Sequence, residues 1–394
     1  MVANLLIVLS IQIFFTLNCN ASTFDDKHSS NLSVTSNRPL RGVGVNYFNA
    51  FSRAINRPDG DRSYRQGLKI LSKHEIPFAR VMIGGYWPNE MELYRSNRSR
   101  YFEILDDFVR TAEEQNVGII ANLCWNYPTI PDLVGEPVSA WGLKNSKTNS
   151  FYRQYVSDVV SRYRNSSAIW MWEFSNEMSL YVDLPNAAEW RSPTSPKQGT
   201  PKVRTKLDEL TSDDMLIAME EFRDAVRRYD FNTPLSSGNS LPRPYAFHNT
   251  LDRSWKHDTD DQFCQVLARD NPNGFDVISL HVYPTTKTRK GMAEQDYDAL
   301  FRLVRKCSKQ LGKQVFVGEF GVGEKDGFGR QDGVKGSFQK LSSALVENEI
   351  YLSALWVYDF SHQEGSYNVT EKNARAYQLE EVRTINRKIK SLFR

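Results

Sequence analysis

The stretch "IWMWEFSNEM", residues 169–178, ends an aromatic, apolar run on Asn176 and Glu177. Alternation along an extended chain places Trp170, Trp172 and Phe174 on one face and Met171, Glu173, Ser175 and Glu177 on the other. A carboxylate on an inward face is costly to ionise unless it is paired, hydrogen-bonded or used. This strand carries two.

Runs of the same kind recur along the chain: "GVGVNYF" (42–48), "FARVMIG" (78–84), "GIIANLCW" (118–125), "PLSSGNS" (234–240), "FDVISLHVY" (275–283), "QVFVGEFG" (314–321) and "LSALWVYDF" (352–360). Amphipathic segments lie between them, at 101–116, 151–164, 213–229, 297–311, 336–348 and 373–392. Eight strands, each followed by helix-capable sequence, predict an α/β fold of the (β/α)₈ type, a TIM barrel in a single domain over 41–394. A doubly wound open sheet is the competing arrangement. It wants a glycine-rich phosphate turn after the first strand, where this chain reads "NAFSRAINRPDGD". The "GVGEKDG" after strand seven lacks the third glycine and reads as a βα loop. The Pro-, Ser- and Thr-rich insert at 180–211 follows strand four and belongs on the rim of the barrel.

With 394 residues, 40% apolar and 25% charged, the chain can bury a substantial core. A net charge of +3 with interspersed signs excludes a dedicated nucleic-acid surface. The first 21 residues read as a signal peptide: an apolar run at 4–17, too short for a comfortable membrane span, precedes small residues near Ala21. An uncleaved anchor is the other reading of that run, and residues 22–40 form a polar tail. The predicted location is extracellular, or periplasmic in a bacterium. Cys124 reads as a core thiol, and Cys264 and Cys307 as a candidate disulfide that the spacing leaves open. Asn31, Asn97, Asn165 and Asn368 begin glycosylation sequons.

In a barrel of parallel strands, the reactive groups come from the C-terminal strand ends. The polar residues there are Arg80, Asn176, Glu177, His281, Tyr283, Glu319 and the segment from Trp356 to Asp359. One such glutamate is explained by a salt bridge. Two, ending strands four and seven among an Arg, a His-x-Tyr and a Trp, point to the paired carboxylates that glycosidic bond cleavage requires. Arg80 and Tyr283 are suited to hold one carboxylate ionised, while apolar neighbours keep the other protonated. The histidines are scattered, with no H-E-x-x-H and no C-x-x-C, so no metal or other cofactor is expected. No G-x-S-x-G elbow supports a serine hydrolase. Trp87, Trp125, Trp141, Trp190 and Trp255, in or beside βα loops, are candidate sugar platforms.

The order "FARV", "SNE", "HVY", "VGEFG" and "LWVYDF" resembles glycoside hydrolase family 5, the cellulase- and mannanase-containing group of clan A, over about residues 41–360. The resemblance implies a retaining β-glycan hydrolase with Glu177 as acid/base and Glu319 as nucleophile. It implies that Asn176 binds the sugar 2-hydroxyl, that Arg80 and Tyr283 orient and ionise Glu319, that His281 lines the same subsite, and that Trp356 lies under the reacting sugar. Glu173 would sit deeper in the barrel. Many members end strand three with a His; here "NLCWNY" places Trp125 and Asn126 there, closer to mannanase-like members. A barrel that binds carbohydrate without cleaving it, and a transglycosylase on the same site, are the alternatives.

Overall fold

The computed structural model describes residues 40–284, 295–327 and 333–393. Its eight parallel strands are β1 (Gly42–Asn46), β2 (Phe78–Met82), β3 (Gly118–Asn122), β4 (Ile169–Glu173), β5 (Leu235–Ser236), β6 (Val277–Val282), β7 (Gln314–Phe320) and β8 (Leu352–Leu355). The hydrogen-bonded order runs β5-β4-β3-β2-β1-β8-β7-β6. At the remaining seam, Asp276 N–H donates to the Leu235 carbonyl at 3.0 Å. The Asn271 amide oxygen also spans it, accepting from Ser237 Oγ at 2.8 Å and from the Ser279 N–H at 2.9 Å. The sheet is thus a nearly closed (β/α)₈ barrel.

Among the described residues, eight helices form the outer ring: α1 (Ser63–Lys73), α2 (Arg98–Glu114), α3 (Lys147–Tyr163), α4 (Ser212–Arg227), α5 (Asp260–Asp270), α6 (Tyr297–Leu311), α7 (Gly333–Glu347) and α8 (Tyr377–Leu392). The start of α4 is set by Thr211, whose hydroxyl accepts from Asp214 N–H while the Asp214 carboxylate accepts from Thr211 N–H. Thr259 and Gln262 cap α5 in the same reciprocal way. Each pair satisfies two backbone donors that a helix end leaves without partners. A disulfide joins Cys264 on α5 to Cys307 on α6, and Cys124 is free and buried. Cross-linking positions 43 residues apart is worth on the order of 4 kcal/mol against the unfolded chain.

The barrel interior is layered. Phe78, Ile120, Met171, Val277, Phe316, Leu352 and Ala354 plug its N-terminal end, and Leu40 packs with them. Leu40, the last residue of the expected tail, therefore packs with the barrel, one residue before its expected start. The expected leader and the rest of the tail lie outside the described residues. Above the plug sit buried polar groups, among them Asn46, Arg80, Asn122 and Glu173.

Two expectations about the strands are corrected. Trp170 does not share a face with Trp172. The β3–β4 register pairs Ile119 with Ile169 but Ile120 with Met171, so Trp170 is an extra residue in a bulge. Its ring turns inward against Phe78 at 5.4 Å, while Trp172 packs outward and donates to Asp230. Gly118 makes room for it, since a Cβ there would meet the indole at 2.4 Å. β5 and β8 are shorter than their apolar runs, so Trp356 to Asp359 form a loop rather than a strand end. Of the sequons, Asn97 and Asn165 are exposed, whereas Asn368 is buried and its side chain accepts from Phe360 N–H. Asn31 lies outside the described residues.

Candidate active site

Parallel strands deliver their C-terminal ends to one rim, and there the polar layer opens into a cleft. Arg80, from β2, is fully buried and makes four directed contacts. Its Nε donates to Glu173 at 2.6 Å, Nη1 to Glu319 at 2.9 Å and Asn46 at 3.1 Å, and Nη2 to Asn176 at 2.7 Å. Trp125 covers it, with the guanidinium carbon 4.4 Å from the ring centroid. Glu173 is held in turn by Asn122 and Ser236, both at 2.9 Å. Removing one partner of such a buried pair costs roughly 3–5 kcal/mol. Glu173 is explained by that role alone: it neutralises and aims Arg80 from below.

Glu319, near the end of β7, accepts from Arg80 on one oxygen and from Tyr283 Oη on the other at 2.6 Å. Glu177, in a left-handed turn just past β4 (φ 54°), pairs with His281 Nδ1 at 2.8 Å. The same nitrogen lies 3.6 Å from Glu319. His281 Nε2 is buried with no hydrogen-bond partner among the described residues, so Nδ1 is the nitrogen that serves Glu177. Gly318 leaves room for that ring, as a Cβ there would lie 2.9 Å from Nε2. One carboxylate oxygen of Glu177, one of Glu319 and a ring nitrogen of His281 all lie within 4.8 Å of one another.

The electrostatics differ from the expectation that Glu319 would be the more acidic member. Burial pushes the Glu319 carboxyl up, and the nearby Glu177 adds to this; the opposing pull of His281, Arg80 and Tyr283 does not offset it. Burial also pushes Glu177 up, but its hydrogen bond to His281 and the charge of that ring outweigh this and hold it below the usual range. The physical difference lies in their partners: Glu177 gains the direct bond to His281, whereas Glu319 is opposed by the charge of Glu177. At this distance the two titrate as a pair, holding one proton between two apparent steps.

The cleft floor is aromatic. Phe48 stacks on Trp356 at 5.3 Å and lies 5.1 Å from Trp125, and Trp356 Nε1 donates to Gln363 at 2.9 Å. Trp87 and Trp190 line the cleft, whereas Trp141 is fully buried and donates to the Tyr127 carbonyl. Trp255 packs edge-on against Tyr245 and lines none of the cleft. Asn126 lines the cleft with Asn176 and Glu177 and spends its amide on the Tyr86 carbonyl at 3.0 Å. The structure thus brings together Arg80, Asn176, Glu177, His281, Tyr283, Glu319, Trp125 and Trp356. Sequence reasoning missed Asn46 and Asn122, which hold Arg80 and Glu173. Their signal was available: each is a polar residue ending an otherwise apolar strand.

Three similarities to known proteins are informative. A protein of Aspergillus niger described as "Probable mannan endo-1,4-beta-mannosidase A" is 27% identical over 262 residues, covering 64% of this chain and 57% of its own length. The rice protein described as mannan endo-1,4-beta-mannosidase 8 is 25% identical over 279 residues, covering 63% of this chain and 67% of the relative. The solved endo-1,4-beta-D-mannanase of Thermotoga petrophila shares 14% identity at a TM-score of 0.61, over 88% of this chain and 99% of that one, a likeness of fold. The sequence model described as Cellulase (glycosyl hydrolase family 5) matches residues 65–359. That span runs from α1 through the strand ends carrying Arg80, Glu177 and Glu319 to the loop after β8, so the chain belongs to glycosyl hydrolase family 5.

Proposed function

We propose that this chain is a retaining glycoside hydrolase that cleaves a β-linked glycan of the β-mannan type by double displacement. The observation that carries the reading is the spacing of Glu177 and Glu319, with carboxylate oxygens within 4.8 Å. Retaining pairs stand ~5–5.5 Å apart, while inverting pairs need ~6.5–9.5 Å to admit a water between acid and base. The close approach of the nearest oxygens supports the retaining arrangement.

In the first step Glu319 attacks the anomeric carbon as Glu177 gives its proton to the departing glycosidic oxygen. A covalent glycosyl-enzyme forms and the shortened glycan leaves. Glu177, now ionised, takes a proton from water, which attacks the same carbon and releases Glu319. Asn176, fixed by Arg80, presents its amide N–H to the sugar hydroxyl beside the anomeric centre. Productive binding must place the pair's proton on Glu177. A cationic anomeric centre over Glu319 favours its charge, and a glycosidic oxygen beside Glu177 favours its proton. A binding-only barrel would have no use for the buried Arg80 that holds Glu319. Transglycosylation needs only that a sugar replace water in the second step.

The mannan reading rests on the names of the relatives and on Trp125 and Asn126 standing where a strand-three His would otherwise be. Secretion is supported by the Cys264–Cys307 disulfide, which persists in oxidising compartments, and by the leader-like sequence at 1–21. No helix among the described residues is long and apolar enough to cross a membrane.

The direct test is a panel of β-mannans and β-glucans, with the anomer of the first product followed by NMR. Retained β-configuration on a mannan is expected; an inverted first product, or no cleavage of any glycan, refutes the reading. A second expectation concerns pH. The active form holds one proton on the pair. Activity therefore falls at low pH as the pair gains a second proton, and at high pH as it loses the last. Because one member is lowered and the other raised, the acid limb of kcat/KM should lie below the ordinary glutamate value and the alkaline limb above it. Replacing His281 with Asn should move the acid limb upward, since it removes the group that lowers Glu177.

A further inference from the structure

The strand that carries Glu319 is irregular where it delivers that residue. β7 pairs Val317 with Leu280 of β6 but Glu319 with His281, so the register skips Gly318. On its other side Val317 pairs with Ser353 and Phe320 with Leu355, which sets both Gly318 and Glu319 against Ala354 of β8. Gly318 is the extra residue of a bulge.

The bulge decides where Glu319 points. Phe316 turns into the barrel floor, and strict alternation from there would face Gly318 inward and Glu319 outward, toward the helices. Phe320 instead faces outward, stacked on Phe338 of α7 at 6.1 Å, and Glu319 lines the cleft. One inserted residue moves the carboxylate from the helical layer to the reaction side.

Asn46, the last residue of β1, is fully buried and spans this irregularity. Its amide nitrogen donates to the Gly318 carbonyl at 2.9 Å and, across the bulge, to the Ala354 carbonyl at 3.3 Å. Its amide oxygen accepts from Arg80 Nη1 at 3.1 Å, the same nitrogen that donates to Glu319 at 2.9 Å. A guanidinium can only donate, so these partners fix which end of the Asn46 amide faces which. A single side chain thus ties the backbone just before Glu319 to the cation that pairs with it. We propose that Asn46 is a positioning residue for the nucleophile: it clamps the Gly318 bulge to Arg80 and so keeps Glu319 aimed at the anomeric carbon. This rests on the glycosidase reading above and concerns the step in which Glu319 attacks.

The test uses a β-mannobiosyl fluoride whose reacting sugar carries fluorine in place of its 2-hydroxyl. Glu319 forms an ester bond to the anomeric carbon as the C–F bond there breaks and fluoride leaves. The remaining fluorine slows hydrolysis of the ester, so labelled enzyme accumulates. Intact-protein mass spectrometry reads the moles labelled per mole of enzyme and the rate constant of labelling at saturation. For Asn46→Ala that rate constant should fall about 10–100-fold, with labelling still complete and the half-saturating concentration changed less than about threefold. A purely structural role would instead lower the fraction labelled and leave the folded fraction reacting at the wild-type rate, which overturns the proposal. Asn46→Ser, a smaller change whose hydroxyl is too short to span both partners, is read in the same way if the Ala variant does not fold. It should be slowed at least about fivefold, and a wild-type rate constant overturns the proposal equally. If the wild-type enzyme is not labelled on Glu319, the glycosidase reading itself falls. Normal labelling of the wild type with unslowed variants removes only the role of Asn46.

Discussion

Glu319→Gln is expected to reduce kcat/KM on the cleaved glycan by on the order of 10⁴-fold, with the thermal midpoint nearly unchanged. Gln keeps the volume of the side chain and its contact with Tyr283, so the barrel has little reason to loosen. In the proposed mechanism what is lost is the nucleophile: an amide oxygen cannot form a glycosyl ester that water then opens. Arg80 and Asn46 remain in place, so the loss is chemical rather than architectural. The smaller Glu319→Ala variant leaves a space beside the anomeric carbon. Added azide should enter it and, with an activated aryl β-glycoside, give the α-glycosyl azide by a single displacement. Near-normal turnover by Glu319→Gln on every cleaved glycan would sink the assignment.

Glu177→Ala should behave differently. On a polymer, whose leaving alcohol needs a proton, turnover should fall by roughly 10²–10⁴-fold. On an aryl glycoside with an acidic phenol the first step needs no acid, so its rate should be largely kept. Without a base the second step stalls, and the covalent glycosyl-enzyme should accumulate as a burst observable by mass spectrometry. Azide now attacks that intermediate and should give the β-glycosyl azide. The anomer of the azide product thus separates the two roles without reference to rate. If the Glu177 variant gave the α-product, the roles would be reversed.

The lowered Glu177 and raised Glu319 show why side-chain identity alone does not allocate such roles. Arg80 and Tyr283 were legible as neighbours that stabilise a charge on Glu319. Their effect is opposed by complete burial and by the charge of Glu177, quantities that depend on depth and distance. Asn176 and Glu177 were recognisable because they interrupt an apolar run, and Glu319 for the same reason. Trp170 was misplaced because period-two alternation assumes an unbroken register, and a single bulged residue reverses the face of the residue that causes it. Trp141 and Trp190 look alike in sequence, each a Trp in a loop. One is sealed under the β3 loop and the other stands 55% exposed at the cleft.

By itself the sequence determined the number and order of the strands, the rim on which chemistry is placed and the acids that stand there. Those follow from local periodicity and from the cost of burying charge, both properties of short segments. Only the tertiary structure decided how near Glu177 and Glu319 come, which tryptophans reach the cleft, and that Cys264 bonds Cys307. Distances between segments far apart in the chain are set by how the barrel closes and by which side chains fill it, and no short segment carries that information.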